Sequence, residues 1–302
     1  MTIEVVSAGR YASIQDRGRP GFERFGVPPG GAADWFAAAV ANRLVGNHAD
    51  AALIEAAAGG LELRFLDEAT VALAGAGSDD QALPSWQARE VAAGQQLRLG
   101  QPASGLRAYL AVRGGIDAPM VLGSRSFCAR GAFGGGFGRT LARGDRLTVG
   151  AMAQQDALSE SWPETHRLPR AGPWEVRVIA GPHLEAFGAN ALERLERVAC
   201  RVTPAIDRMG LRLETPGLHL RADEILTTPV TAGALQVTPS GELIALLVDH
   251  PTTGGYPVIS TVITADLPRL AQARPGDTMR FRQVDLAEAG RAHRRLLDWL
   301  SE

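Results

Sequence analysis

The strongest constraint in this sequence is its rhythm: brief runs of β-branched or alternating apolar residues, most of them stopped by glycine, proline or aspartate. Thr2–Val6, Leu61–Phe65, Thr70–Leu73, Leu106–Val112, Glu175–Ile179, Leu235–Val237, Leu243–Val248 and Val258–Ile263 all read this way. Short apolar runs between turn residues are strand signals. A glycine-polar turn leading into an alternating run recurs at Gly94-Gln95-Gln96-Leu97, Gly144-Asp145-Arg146-Leu147 and Gly276-Asp277-Thr278-Met279. Glycine there supplies the positive φ of a tight turn, so the repeats suggest related hairpin-like units in both halves of the chain.

Helical signals are fewer. Asp34–Val45 has an aspartate placed as N-cap and Gly46 just past its end. His183–Arg197 carries Leu184, Phe187, Leu192 and Leu195. Asp285–Leu300 opens on Asp285 and Glu288, a capping-box-like pair, and sets Leu286, Ala289, His293, Leu296, Leu297 and Leu300 on one face. Strands do not alternate regularly with helices, which argues against a doubly wound parallel sheet. The expected architecture is mainly β, in barrels or sandwiches with a few flanking helices. A polar, proline-bearing stretch at about 151–173 reads as a linker, which divides the 302 residues into domains over 1–160 and 172–302.

Composition closes off several classes of function. With 45% hydrophobic and 21% charged residues the chain can bury a core. A net charge of -2 gives no electrostatic case for nucleic acid or an anionic membrane surface. No apolar run approaches the roughly 18 residues of a membrane span, and MTIEVVSAGRY lacks the basic and apolar regions of a leader, so a cytoplasmic protein is expected. Two cysteines, Cys128 and Cys200, fit a reducing compartment without disulfides. All 31 basic residues are arginine. Without lysine there can be no P-loop lysine, no Schiff base and no biotinylated side chain here.

Familiar catalytic spacings are absent. The six histidines are scattered, with no HExxH, CxxC or GxSxG, so no metal site is expected. Gly134–Gly138 is either a flexible turn or a loop whose amides hold an anion. Four stretches are more particular: Ser13–Arg19 with Gly26–Asp34, Leu122–Ser126 after Tyr109–Ile116, Ile206–Leu213, and Leu246–Pro257. In the last, an apolar strand ends on Asp249 and runs into Thr252, Thr253, Gly254 and Gly255. Such a strand end can present a base, two hydroxyls and open backbone amides to a small polar ligand. Equally, the aspartate can cap its own turn while the threonines and glycines shape a loop.

These stretches also carry a resemblance. Gln15-Asp16-Arg17-Gly18-Arg19, GVP-x-GGAAD, ANRLVGN (41–47), YLAVRGGI, LGSRS, GGGFGR (134–139), DRMG-x-RL, GALQV (233–237), DHPTTGGYP and DLPRLAQARPGD (266–277) follow in order over roughly 2–290. The pattern resembles the carboxyltransferase C/D-domain family, which includes the C-type subunit of 5-oxoprolinase, the KipA protein (also called allophanate hydrolase subunit 2) and half of the urea carboxylase carboxyltransferase. Two departures stand out: Pro29-Gly30 in GVP-x-x-G, and His250-Pro251 between Asp249 and the threonines.

The resemblance implies two cyclophilin-like β-barrel domains and an obligate partner, the B-type subunit of 5-oxoprolinase or a KipI-like protein. It implies, first, one subunit of an ATP-dependent 5-oxoprolinase that opens a lactam to glutamate, working with a third subunit as well. The alternatives are half of a biotin-dependent carboxyltransferase acting on a urea-like amide, with biotin supplied on another chain, and a non-catalytic binder of a KipI-like kinase inhibitor. ATP belongs to the complex and need not touch this chain. For lactam or amide chemistry, Asp249 is the expected proton-handling carboxylate. Arg125 and Arg208 are the candidate fixed cations for anionic groups, each with a structural salt bridge as its alternative. Gln236 and Thr253 are candidates to read the edge of a planar amide, with Thr252, Gly254 and Gly255 beside them.

Overall fold

A computed structural model describes residues 1–77, 84–151, 161–216 and 225–301; part of the expected linker, 152–160, lies outside them. The chain divides into two compact units. The first comprises Met1–Pro20, Gly30–Arg170 and Trp299–Glu302, and the second Gly21–Pro29 and Ala171–Asp298.

The first unit holds strands β1 (Thr2–Ala8), β2 (Tyr11–Gln15), β3 (Leu53–Ala57), β4 (Leu61–Phe65), β5 (Ala69–Gly75), β6 (Gln87–Val91), β7 (Gln96–Leu99), β8 (Arg107–Val112) and β9 (Arg146–Thr148). They form a four-stranded sheet, β7-β4-β1-β9, and a five-stranded sheet, β2-β3-β8-β5-β6. One apolar cluster joins both, with Ile3, Val5, Leu63 and Phe65 from one sheet and Ile14, Ile54, Val71 and Leu110 from the other. Helix α1 (Trp35–Leu44) lies against β5 and β8. Those strands are therefore buried on both faces, and Leu110–Val112 reads as a continuous apolar run where a half-exposed strand would alternate.

The second unit contains β10 (Trp174–Ala180), β11 (Cys200–Ile206), β12 (Gly210–Glu214), β13 (Thr228–Pro229), β14 (Ala234–Val237), β15 (Leu243–Leu246), β16 (Thr253–Gly254), β17 (Val258–Val262) and β18 (Thr278–Gln283). Helices α2 (Ala191–Arg197), α3 (Leu267–Gln272) and α4 (Leu286–Ser301) accompany them. Seven strands close a barrel in the order β10-β17-β14-β15-β12-β11-β18, sealed by a parallel β10–β18 pair. Leu211, Leu213, Leu235, Val237, Leu243 and Ala245 point into its core. The alternate residues of the same strands face outward, as the two-residue period requires.

The mainly-β expectation holds, with the closed barrel found in the second unit and two sheets around a shared core in the first. The repeated glycine turn is one structure built three times. Gly94, Gly144 and Gly276 sit at φ 79°, 87° and 91°. In each, the next side chain accepts from a backbone N–H three residues before it: Gln95 from Ala92, Asp145 from Ala142 and Asp277 from Arg274. The turns launch β7, β9 and β18.

Two helical expectations need correction. His183–Arg197 is broken into a short 3-10 turn (Leu184–Phe187) and α2, because Gly188 and Asn190 adopt φ 75° and 60° between them. In α4, Asp285 caps the Glu288 N–H at 2.6 Å, but the Glu288 carboxylate turns to Arg282. The expected apolar face is only partly used: Leu296 is buried, whereas Leu286 and Leu297 are exposed.

Candidate functional site

In the first unit, three of the singled-out motifs meet at one carboxylate. Asp16 Oδ1 accepts from the Gly18 N–H at 2.7 Å, Ser124 Oγ at 2.7 Å and Ser126 Oγ at 2.5 Å. Its Oδ2 accepts from the Arg125 N–H at 2.6 Å. Buried Arg19 donates to the Ser126 carbonyl and lies 4.9 Å from the centre of the Phe133 ring. Gly134 takes φ 75°, and a Cβ there would stand 2.2 Å from the Ser126 carbonyl oxygen. A carboxylate receiving four donors is saturated, so this knot fixes loops and presents no free base. The Arg125 guanidinium, about one-third exposed, reaches Asp117 at 3.3 Å.

The remaining first-unit motifs are tied in the same manner. The Asp34 N–H donates to Tyr109 Oη at 2.7 Å, and that hydroxyl donates to buried Glu55 at 2.9 Å. Burial, then the Glu55 charge, push the Tyr109 phenol well above its ordinary value. Asn47 of ANRLVGN donates to the Val112 carbonyl and accepts from the Gly114 N–H.

The second unit brings Asp249 and Arg208 together as each other's partners. Arg208 Nε and Nη2 donate to the two carboxylate oxygens at 2.9 Å and 3.1 Å. The residues are 1% and 5% exposed, and the Asp249 N–H also donates to the Arg208 carbonyl. Both carboxylate oxygens are engaged and out of solvent, so the geometry gives the pair a structural task. It staples the end of the β15 segment to the β11–β12 turn and offers neither an open base nor a free cation. Next to it, burial lowers the His250 pKa from its ordinary value, and its Nδ1 lies 2.7 Å from the Pro251 carbonyl.

Outside the barrel lies a cavity of about 490 Å³, within the usual range for small-molecule sites. Outward positions build it: Gly210 and Arg212 from β12, Ile244 and Leu246 from β15, and Gln236 from β14. Pro251 and Tyr256 of DHPTTGGYP complete one wall. Gln236 is nearly buried, and its Nε2 donates to the Tyr256 carbonyl at 3.2 Å. That bond fixes the amide's orientation and leaves Oε1 as an acceptor.

Of the expected binding residues, Gln236 therefore lines the cavity. Gly254 serves it indirectly, since a Cβ there would sit 2.5 Å from Gln236 Nε2. Thr253 and Gly254 pair with Pro229 and Thr228 in a two-stranded ribbon, and Thr252 and Gly255 are not among the lining residues. Sequence reading missed Arg212, Ile244 and Tyr256 as lining groups. The alternation of Leu211 and Leu213 inward against Gly210 and Arg212 outward was the available signal. Among the described residues, no group of three or more His, Cys, Asp or Glu is placed to hold a metal. Among those residues also, no helix is long and apolar enough to cross a membrane.

Residues 25–283 match the family model described as carboxyltransferase domain, subdomain A and B. The chain is 36% identical over 300 residues to the 5-oxoprolinase C subunit of Escherichia coli strain K12, covering 96% of this chain and 94% of that protein. It is 34% identical over 298 residues to the 5-oxoprolinase C subunit of Haemophilus influenzae, with 97% and 94% covered. Urea amidolyase of Saccharomyces cerevisiae is 32% identical over 303 residues, but this chain spans only 16% of its length. Among solved structures, urea carboxylase of Kluyveromyces lactis superposes with a TM-score of 0.90 at 29% identity, covering 99% of this chain and 29% of that one.

Proposed function

This chain belongs to the carboxyltransferase-domain family, and from that premise we propose that it is the C-type subunit of an ATP-dependent 5-oxoprolinase. The observation that carries this reading is its likeness to the 5-oxoprolinase C subunit along 94% of that protein's length. In the reaction proposed, the ring C–N bond of 5-oxoproline breaks and one water adds across it to give glutamate, while a second water is consumed as ATP becomes ADP and phosphate. The work of this chain is to seat the lactam. An amide carbonyl is a weak electrophile, so its activation requires a ring held in one orientation against the activating group.

The chain's residues do not fit a nucleotide site. There is no lysine to hold phosphate, and Arg212 is the single arginine among the residues described as lining the cavity. We therefore assign ATP to the partner proteins: a B-like (KipI-like) protein and a third oxoprolinase subunit. Cytoplasmic ATP chemistry suits the two free, buried cysteines.

The superposition on urea carboxylase supports a second reading, carboxyl transfer to a urea-like amide. Because this chain has no lysine to carry biotin, that cofactor would arrive on another chain. Reconstitution separates the two. Mixed subunits supplied with 5-oxoproline and ATP should release glutamate whether or not avidin is added. Avidin-sensitive carboxylation of urea without glutamate release would replace the first reading by the second.

A further inference from the structure

We infer that the cavity on the outer face of the second unit's barrel is the seat of the lactam acid itself. Gln236 Oε1 takes the ring N–H, and Arg212 takes the carboxylate. This rests on the 5-oxoprolinase reading and adds to it a place and a set of contacts.

The cavity wall states what it would accept. Outward positions on a barrel are ordinarily solvated, yet here Ile244 and Leu246 line a hollow, joined by Ile206 at the end of β11 and Met209 in the β11–β12 turn. Leu246 belongs to a second apolar cluster with Ala234 and Val258, outside the barrel core. Such a surface suits the methylene face of a small ring. Gly210 lets β12 lie close against β15 beside the hollow: a Cβ there would stand 2.6 Å from the Ala245 carbonyl oxygen.

Three polar side chains matter here: Gln236, Arg212 and Asp207, whose Oδ1 is taken up by the Met209 and Gly210 N–H groups at 2.7 Å and 3.1 Å. Gln236 offers one acceptor fixed by its bond to the Tyr256 carbonyl. Arg212 is about half exposed and uses Nη1 for Glu242, so its other N–H groups remain for an anion. An apolar ring carrying one N–H and one carboxylate matches this set. Urea does not: it brings no apolar face and would strand its donors against Ile244 and Leu246. The cavity, at about 490 Å³, exceeds one such ring, which leaves room for the group that activates the carbonyl from a partner chain.

Gly254 acts here as a positioning residue. A methyl at this position would push on Gln236 Nε2 from 2.5 Å and turn the acceptor away from the ring.

The test labels the methionine methyls of this chain within the assembled complex and follows Met209, which lines the cavity, during titration with 5-oxoproline, 2-pyrrolidone and urea. Met209→Leu assigns the signal. 5-Oxoproline should move it saturably, 2-pyrrolidone should do so about tenfold more weakly for want of the carboxylate, and urea should leave it unmoved. Arg212→Gln should bring 5-oxoproline down to the 2-pyrrolidone level. Gly254→Ala should raise KM several-fold with a smaller change in kcat. Turnover is recorded on the same samples. Glutamate release with Met209 unmoved overturns this site and leaves the proposed function standing. A saturable shift without turnover keeps the site and overturns the function. Equal binding of urea and 5-oxoproline overturns the lactam assignment, and so does unchanged affinity in Arg212→Gln.

Discussion

Replacing Asp249 by asparagine separates a structural ion pair from a catalytic base. The wild-type carboxylate is 1% exposed and holds Arg208 by bonds of 2.9 Å and 3.1 Å. Asparagine keeps the shape, but its Nδ2 must face a guanidinium N–H, donor against donor, and Arg208 loses its countercharge in a buried setting. Two charge-assisted bonds at about 1.5–3 kcal/mol each suggest a loss of about 3–6 kcal/mol. Breaking one side of a buried ion pair independently gives about 3–5 kcal/mol. Both figures are a large share of a domain stability of about 5–15 kcal/mol. Urea unfolding followed by the fluorescence of Trp174, which is buried in the barrel core, reads the loss directly. The double variant Asp249→Leu with Arg208→Met should regain at least half of it, because neither charge is then left buried alone. An Asp249→Asn protein within about 0.5 kcal/mol of wild type would refute the structural account. If its turnover also fell by about 10²-fold or more, Asp249 would return as the proton-handling group.

Other expectations follow from single positions. Gly134→Ala should destabilise the first unit by about 1–3 kcal/mol, since its Cβ would meet the Ser126 carbonyl at 2.2 Å on a backbone at φ 75°; an unchanged thermal midpoint would contradict the Asp16 knot. Burial lowers the His250 pKa from 6.5, so the unfolded chain takes up its proton first on acidification. Stability should therefore fall as pH drops below about 6.5 and level off below the folded pKa. His250→Gln should flatten that part of the profile of urea midpoint against pH, and an identical slope in the variant would remove His250 as its source. Burial pushes the Cys200 thiol up to about 12, so a disulfide-exchange reagent at pH 8 should leave it unlabelled until urea is added. Rapid labelling of Cys200 in the folded protein would contradict its burial.

Local chemistry makes much of the fold legible from the residues alone. Leu61–Phe65 is β4 residue for residue, and the three glycine-polar repeats mark the starts of β7, β9 and β18. Those features need only neighbours in sequence. The short strands β13 and β16 were not legible, because Thr228–Pro229 and Thr253–Gly254 have no apolar period and exist through pairing with each other. The site was half legible for the same reason. Asp249, Arg208 and Gln236 are prominent in sequence, but nothing local says that Arg208 will neutralise Asp249 across 41 residues. Likewise, Asp16, Ser124, Ser126 and Gly134 resemble site motifs until the fold brings them together and saturates the carboxylate. Arg212 and Ile244 lie in ordinary alternating strands, and only barrel closure gives their outward faces a shared hollow.

As one indispensable part of a lactam-opening enzyme, this chain should be irreplaceable in turnover. Omission from a reconstituted mixture tests this most directly. Labelled 5-oxoproline and ATP are incubated with this chain, the B-like partner and the third subunit, together and with each left out in turn, and glutamate and phosphate are measured. Glutamate should form in the full mixture, with phosphate released alongside it, and be negligible when this chain is absent or alone. Undiminished glutamate release from a mixture lacking this chain, or full turnover by this chain alone, would contradict this.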